Sequence, residues 1–65
     1  MREGARGNIT KLLQEKLVSF GYNTNGVDGI FGMGTKAAVI AFQKSKGLSS
    51  DGIVGQNTWR KLLNL

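Results

Sequence analysis

Asp28-Gly29-Ile30-Phe31-Gly32-Met33-Gly34-Thr35 recurs further along the chain as Asp51-Gly52-Ile53-Val54-Gly55-Gln56-Asn57-Thr58. The shared frame is Asp-Gly-Ile, an apolar residue, Gly, two free positions and Thr. Each copy opens a run with helical spacing, so in 65 residues the two copies set the architecture. The Asp of each copy is placed to accept from the amides just after it, as in an Asx turn. The first Gly permits a backbone conformation, or a close approach, that a Cβ would penalise. Ile30 and Ile53 are expected to anchor the loops to the core. The second Gly lets a helix start without a side chain in the way. Thr35 falls in the first helical turn, where its hydroxyl can bond nearby backbone groups.

Upstream, Ile9, Leu12, Leu13, Leu17 and Phe20 recur at spacings of three and four. They predict a helix over about 9–20 with one apolar stripe. Asn8 is its expected N-cap and Gly21 its C-terminal stop. Lys11 and Glu15 are placed to pair on the wet face. Tyr22 to Val27 forms a loop, with a turn at Asn25-Gly26. A second helix starts at Gly32 or its neighbour. Ala37, Ala38, Val39, Ala41 and Phe42 give it a face of mostly small residues, and it stops at Gly47. Lys44 and Lys46 suit the negative end of its dipole. The third helix, about 56–63, turns Trp59, Leu62 and Leu63 inward. Ile30-Phe31 and Ile53-Val54 are at most short extended pieces. The fold class is all-α: three helices, two of them fed by one loop type. Residues 1–7 are short, polar and glycine-containing, and read as a flexible arm or linker remnant; the domain is 8–65.

A chain this small buries only about 60% of its unfolded surface, and without cysteine no disulfide braces it. Lack of both Cys and His argues against structural zinc and excludes Ser-His-Asp and Cys-His catalysis. Asp28 and Asp51 sit in equivalent turns, which makes distinct acid and base tasks hard to assign to them. Asn23, Asn25 and Asp28 miss the EF-hand frame, so calcium is not supported. No catalytic residue, metal site or cofactor is expected. No apolar run reaches the roughly 20 residues that span a bilayer, and the N-terminus lacks the apolar centre of a signal peptide.

Nine Lys and Arg against four Asp and Glu give a net charge of +5. Such a surface attracts nucleic acid, anionic lipid or acidic wall polymers, and equally serves solubility. The basic residues are scattered over all three helices, and the Gly47–Gly55 connection is too long for a helix-turn-helix. The glycine-rich first loop, with Tyr22, Asn23, Asn25 and Phe31, has the ring and amides that suit sugar or peptide ligands. The bland alternative is that Tyr22 packs on the first helix and Phe31 fills the core.

Taken together, Gly7-x-x-Thr10-x-x-Leu13-Gln14-x-x-Leu17-x-x-x-Gly21-Tyr22, the head Asp28-Gly-Ile-Phe-Gly32, Thr35, Ala38-Val39, Phe42-Gln43, Gly47-Leu48, Asp51-Gly52, Gly55, Thr58-Trp59 and Leu62 resemble the small peptidoglycan-binding domain. The resemblance runs from about Gly7 to Leu63. It implies a compact three-helix bundle and noncatalytic binding of bacterial peptidoglycan, glycan or stem peptide. It also implies a catalytic domain elsewhere in a longer parent chain: an amidase, muramidase, carboxypeptidase or cortex-lytic enzyme of endolysin or autolysin type. Location would be extracellular or in the cell wall, as a monomer, with no nucleic-acid or membrane partner. The implied ligand side is the first head: Tyr22, Asn23, Asn25, Asp28, Phe31 and Gly32. Thr10, where the family usually has an aliphatic residue, and Met33-Gly34, where it often has proline, are departures. The alternatives are a basic three-helix nucleic-acid-binding domain and a pro-segment-like module packed on its own enzyme.

Overall fold

Helices form where the spacing places them: α1 over Asn8–Ser19, α2 over Met33–Ser45 and α3 over Gln56–Leu62. The computed structural model describes residues 1–64. Leu65, the last residue assigned to the domain from sequence, lies outside the described residues. Among these the sole extended pairing is a bridge between Arg6 and Ile30.

The inward face of α1 is Thr10, Leu13, Gln14 and Leu17, one i, i+3, i+4, i+7 stripe. It is rotated from the expected stripe, and Ile9, Leu12 and Phe20 remain largely exposed. Two polar residues take core positions because the neighbouring segments satisfy their polar atoms. Asn8 does not cap α1. It is the first helical residue, and Gly7 is the N-cap. The Gly7 amide donates to Gly29 O at 2.9 Å, which fixes the chain's entry one residue earlier. α1 closes with Tyr22 N donating to Leu17 O and Gly21 N to Val18 O. α2 closes alike, with Leu48 N on Gln43 O and Gly47 N on Lys44 O. Both are Schellman ends.

The buried face of α2 is Thr35, Ala38, Val39, Phe42 and Gln43. Ala37 and Ala41 lie off that spacing and are exposed. In α3, Thr58 and Leu62 are buried and Trp59 is half-buried against the core. Leu63 is mostly solvent-facing rather than inward, since it already caps the helix. The expected Lys11–Glu15 pair does not form. The one ion pair among the described residues is Lys36 with Glu3, exposed and 3.9 Å apart, which adds at most about 1 kcal/mol.

The isoleucines of the two heads are not their anchors. Ile30 and Ile53 are 48% and 38% exposed, whereas Phe31 and Val54 are 1% and 2% exposed. Extended backbone alternates its side chains, and the inward register falls one residue later. Phe31 and Val54 join Leu13, Leu17, Phe42 and Leu62 in one core.

Residues 1–7 run across both heads. Gly4 N donates to Phe31 O and Phe31 N to Ala5 O, each at 2.8 Å. Val54 N donates to Met1 O at 2.6 Å, and the Met1 nitrogen donates back to Val54 O at 3.0 Å. Met1 and Ala5 pack on the core, and the Thr10 hydroxyl meets Met1 Sδ at 3.7 Å. The segment expected as a flexible arm thus supplies main-chain partners for both loops.

Gly34, on the first turn of α2, is a point of close approach. A Cβ there would lie 2.8 Å from Thr24 O and 2.7 Å from Asn25 Nδ2. Gly34→Ala gains about 1 kcal/mol of helix propensity, but a backbone carbonyl yields poorly and overpacking costs about 1–3 kcal/mol. The expected net result is a fall in Tm of about 5–10 °C, read by circular dichroism. A Tm at or above that of the parent would show that the loop gives way.

Candidate binding surface

Each head is closed around a buried glutamine from the preceding helix. Gln14 Nε2 lies 3.0 Å from each of Asp28 Oδ1, Ile30 O and Thr35 Oγ1. Its Oε1 accepts from Gly29 N at 2.8 Å. The second head repeats the pattern. Gln43 Nε2 lies 3.2 Å from Asp51 Oδ1, 2.9 Å from Ile53 O and 3.2 Å from Thr58 Oγ1. Gln43 Oε1 accepts from Gly52 N at 3.1 Å. The glycine amide must meet an oxygen, so it fixes the orientation of each side-chain amide. Two hydrogens on Nε2 face three acceptors, so one contact is shared.

This gives each residue of the repeat a task. The Asp accepts twice on Oδ1, from its glutamine and from the amide two residues on, at 3.0 Å for Ile30 and 2.9 Å for Ile53. The first Gly, with φ of +78° in Gly29 and +75° in Gly52, turns its N–H onto the glutamine. The Thr presents its hydroxyl from the first turn of the next helix. Sequence reading assigned no role to Gln14 and Gln43. The signal was there: each follows a core residue, Leu13 or Phe42, and falls in an inward helical spacing where an apolar side chain is the norm.

Both Asp carboxyls are held below the ordinary carboxylate range. The backbone N–H of Ile30 is the larger cause for Asp28, followed by the Gln14 amide. For Asp51 the larger cause is the backbone N–H of Ile53, with burial opposing and Gln43 adding. A depressed carboxyl contributes stability that is complete above its unfolded value, about 4. That contribution is lost as pH falls through the lower folded value. Melting temperature is therefore expected to hold from neutral pH down to about 4 and to drop below it. The double variant Asp28→Asn, Asp51→Asn should lose less between pH 4 and pH 2. An equal acid drop in both proteins would contradict this assignment.

The six ligand-side candidates share one stretch but not one exposure. Tyr22 is half-buried, its ring edge-on to Phe42 at 5.9 Å. With Val18, Gly21 and Asn23 it lines a shallow concavity of about 250 Å³. Asn23 Oδ1 accepts from Asn25 N at 2.8 Å, and Asn25 is left-handed, with φ of 62°. Asn23, Asn25 and Asp28 are exposed, and Gly32, the N-cap of α2, is half-exposed. The ring of Phe31 belongs to the core and backs this surface rather than forming it.

The second copy, outside the ligand side expected from sequence, carries an open cleft. Between the linker and the start of α3 lies a concavity of about 250 Å³ lined by Leu48, Ser49, Asp51, Ile53, Gln56 and Asn57 among others. In the first copy Thr24 and Asn25 approach Gly34 closely. Asn57 stands where the first copy has Gly34, and it lines the second cleft. Among the described residues no three Asp, Glu, His or Cys gather to hold a metal, and no helix is long and apolar enough to cross a membrane.

Comparison with known proteins follows the same outline. The family described as "Putative peptidoglycan binding domain" matches residues 6–62. The zinc D-Ala-D-Ala carboxypeptidase of Streptomyces albus G is 41% identical over 69 residues, a match covering 100% of this chain and 26% of that protein. The crystal structure of the SleB N-terminal domain superposes with a TM-score of 0.95 at 39% identity, covering 98% of this chain and 88% of that one. The Burkholderia AP3 phage endolysin superposes with a TM-score of 0.91 at 42% identity, covering 95% of this chain and 24% of the endolysin. The chain spans less than half the length of the curated relatives it matches. Sequence and fold agree from the first head to the last helix, and the chain belongs to the peptidoglycan-binding domain family.

Proposed function

We propose that this domain binds bacterial peptidoglycan without catalysing its cleavage, and so holds an attached cell-wall hydrolase at its substrate. The observation that carries this reading is the family match over residues 6–62. The relatives support an attached hydrolase as partner: the printed names of matched proteins include a carboxypeptidase, an amidase and spore cortex-lytic enzymes. Each is much longer than the matched segment, which leaves room for catalysis elsewhere in those chains. The domain then acts outside the cell or in the wall, as a monomer. The ligand surface proposed first is the exposed side of head one: Tyr22, Asn23, Asn25, Asp28 and Gly32, with Phe31 behind them. A half-buried ring sharing a concavity with the Asn23 amide suits a sugar with its hydroxyls or a short peptide.

The test is cosedimentation with purified peptidoglycan stripped of teichoic acids. Binding is expected to exceed that of a charge-matched control protein. It is also expected to survive high salt, where screening shortens electrostatic reach to about 3 Å at 1 M. Binding that vanishes with salt, or that equals the control, would remove the proposal.

A further inference from the structure

The two heads are built alike, and the cleft beside the second is lined by that head's own carboxylate. Its walls are mixed. Leu48 and the exposed part of Ile53 are apolar, Ser49, Gln56 and Asn57 offer hydroxyl and amide groups, and Asp51 carries the only charge among these residues. Asp51 Oδ1 is used twice by the fold. Its other oxygen has no hydrogen-bond partner among the described residues. The single ion pair among the described residues joins Lys36 and Glu3; Arg2 and Lys36 line the concavity on the other side of Asp51 without pairing with it. An unpaired carboxylate at an amide-rimmed, partly apolar cleft, on a domain of net charge +5, is a specific recognition feature rather than part of a general field. It calls for a ligand bearing a positive charge at the end of a short aliphatic stem. Methylenes would lie along Leu48 and Ile53, and the neighbouring peptide groups would meet Ser49 and Asn57.

We infer that the cleft at the second head is a subsite for a primary ammonium on an aliphatic side chain, the group that the diamino acid of a peptidoglycan stem peptide carries. This rests on the wall-binding reading and sharpens it: the second head reads peptide, by its amine. The rigid framework of Gln43, Thr58 and the Ile53 amide holds the carboxylate in place before a ligand arrives, which lowers the ordering cost of binding.

The experiment is an amide-shift NMR titration of this chain with the tripeptide L-alanyl-γ-D-glutamyl-L-lysine and with its Nε-acetyl form, beside cosedimentation with whole peptidoglycan. Shifts are expected at residues 48–57 with the free amine and should weaken about fivefold on acetylation, the scale of one exposed charge pair. Asp51→Asn keeps an oxygen for the Ile53 and Gln43 bonds, and should weaken the free-amine peptide by about the same factor. Asn57→Asp adds a second carboxylate to the cleft rim and should tighten the free-amine peptide alone, which keeps the test open if the Asp51 variant folds poorly. Shifts confined to residues 22–34, or equal affinity for both peptides, overturn the subsite while wall binding stands. Failure to sediment with peptidoglycan instead removes the wall-binding reading itself.

Discussion

Gln14→Leu is expected to destabilise the domain by about 3–5 kcal/mol, although leucine matches glutamine in size and is more apolar. The change opens no cavity, so the loss isolates the hydrogen bonds. Gly29 N, buried, loses its acceptor. Thr35 Oγ1 loses its donor, Ile30 O keeps only Gly32 N, and Asp28 keeps the Ile30 amide. A buried polar group left without a partner costs about 1–3 kcal/mol, and here Gly29 N and Thr35 Oγ1 are both stranded while Ile30 O and Asp28 each lose one bond. A chain of this length has roughly 3–10 kcal/mol of stability to lose. Tm should fall by about 15 °C or more, and part of the population should be unfolded at room temperature. Gln14→Glu probes the same site by charge. It sets a carboxylate against Asp28 Oδ1 and Ile30 O, and should be worse than leucine at neutral pH. Gln43→Leu should cost somewhat less, because three of its four contacts are longer than their counterparts at Gln14. Circular dichroism melts with urea titration decide the matter. A loss under about 1 kcal/mol for Gln14→Leu would show that water replaces the side chain easily.

Phe42→Ala is expected to be comparably severe by a different route. Phe42 has no exposed surface, sits at the centre of the core, and is the ring on which two others rest. Phe20 lies 5.3 Å away, tilted, and Tyr22 meets it edge-on at 5.9 Å. Lys46 Nζ lies above Phe20 at 5.5 Å and above Phe42 at 5.8 Å. Truncating a buried Phe costs about 3–5 kcal/mol in transfer and cavity terms. In so small a core nothing nearby is large enough to refill the space. The effect on Tyr22 separates the two variants. Without Phe42 its ring loses its edge contact, so near-ultraviolet ellipticity should fall even under conditions that keep the helices. Gln14→Leu should leave that signal in the folded fraction unchanged. Retention of the parent melting curve by Phe42→Ala would contradict the core assignment.

The helices were legible because the chain states them in apolar spacing and in glycine stops. Their ends were not, where tertiary partners decided them. Asn8 looked like a cap, but the Gly7–Gly29 bond set the boundary. The inward face of α1 was misplaced by one residue position because Thr10 and Gln14 look polar in isolation. Only the folded loops reveal that both have partners. The Asx role of Asp28 and Asp51 was readable, since it is local. The glutamine in each socket was not, because its partners lie 14–21 residues away in the first head. Ile30 and Ile53 misled for a related reason: their hydrophobicity said inside, and strand alternation put Phe31 and Val54 there instead. The first loop was proposed as the ligand side from sequence, and the concavity beside the second head was not. Gly34 against Asn57 is a difference that has meaning only once the two copies are superposed.

The arm that crosses both heads has a consequence for the order in which the molecule assembles. The glutamine of the second head reaches partners 8–15 residues away, and that of the first head 14–21. Met1 must find Val54 across 53 residues. Closing a chain costs about 0.6 kcal/mol more for each doubling of the loop. Ring closure therefore leaves the two heads within about 0.6 kcal/mol of each other and makes the contact across 53 residues the costliest to close, so the arm is laid down last as a seam over loops already formed. Thermal opening should run in reverse, so the segment that reads from sequence as loose is the latch that leaves first.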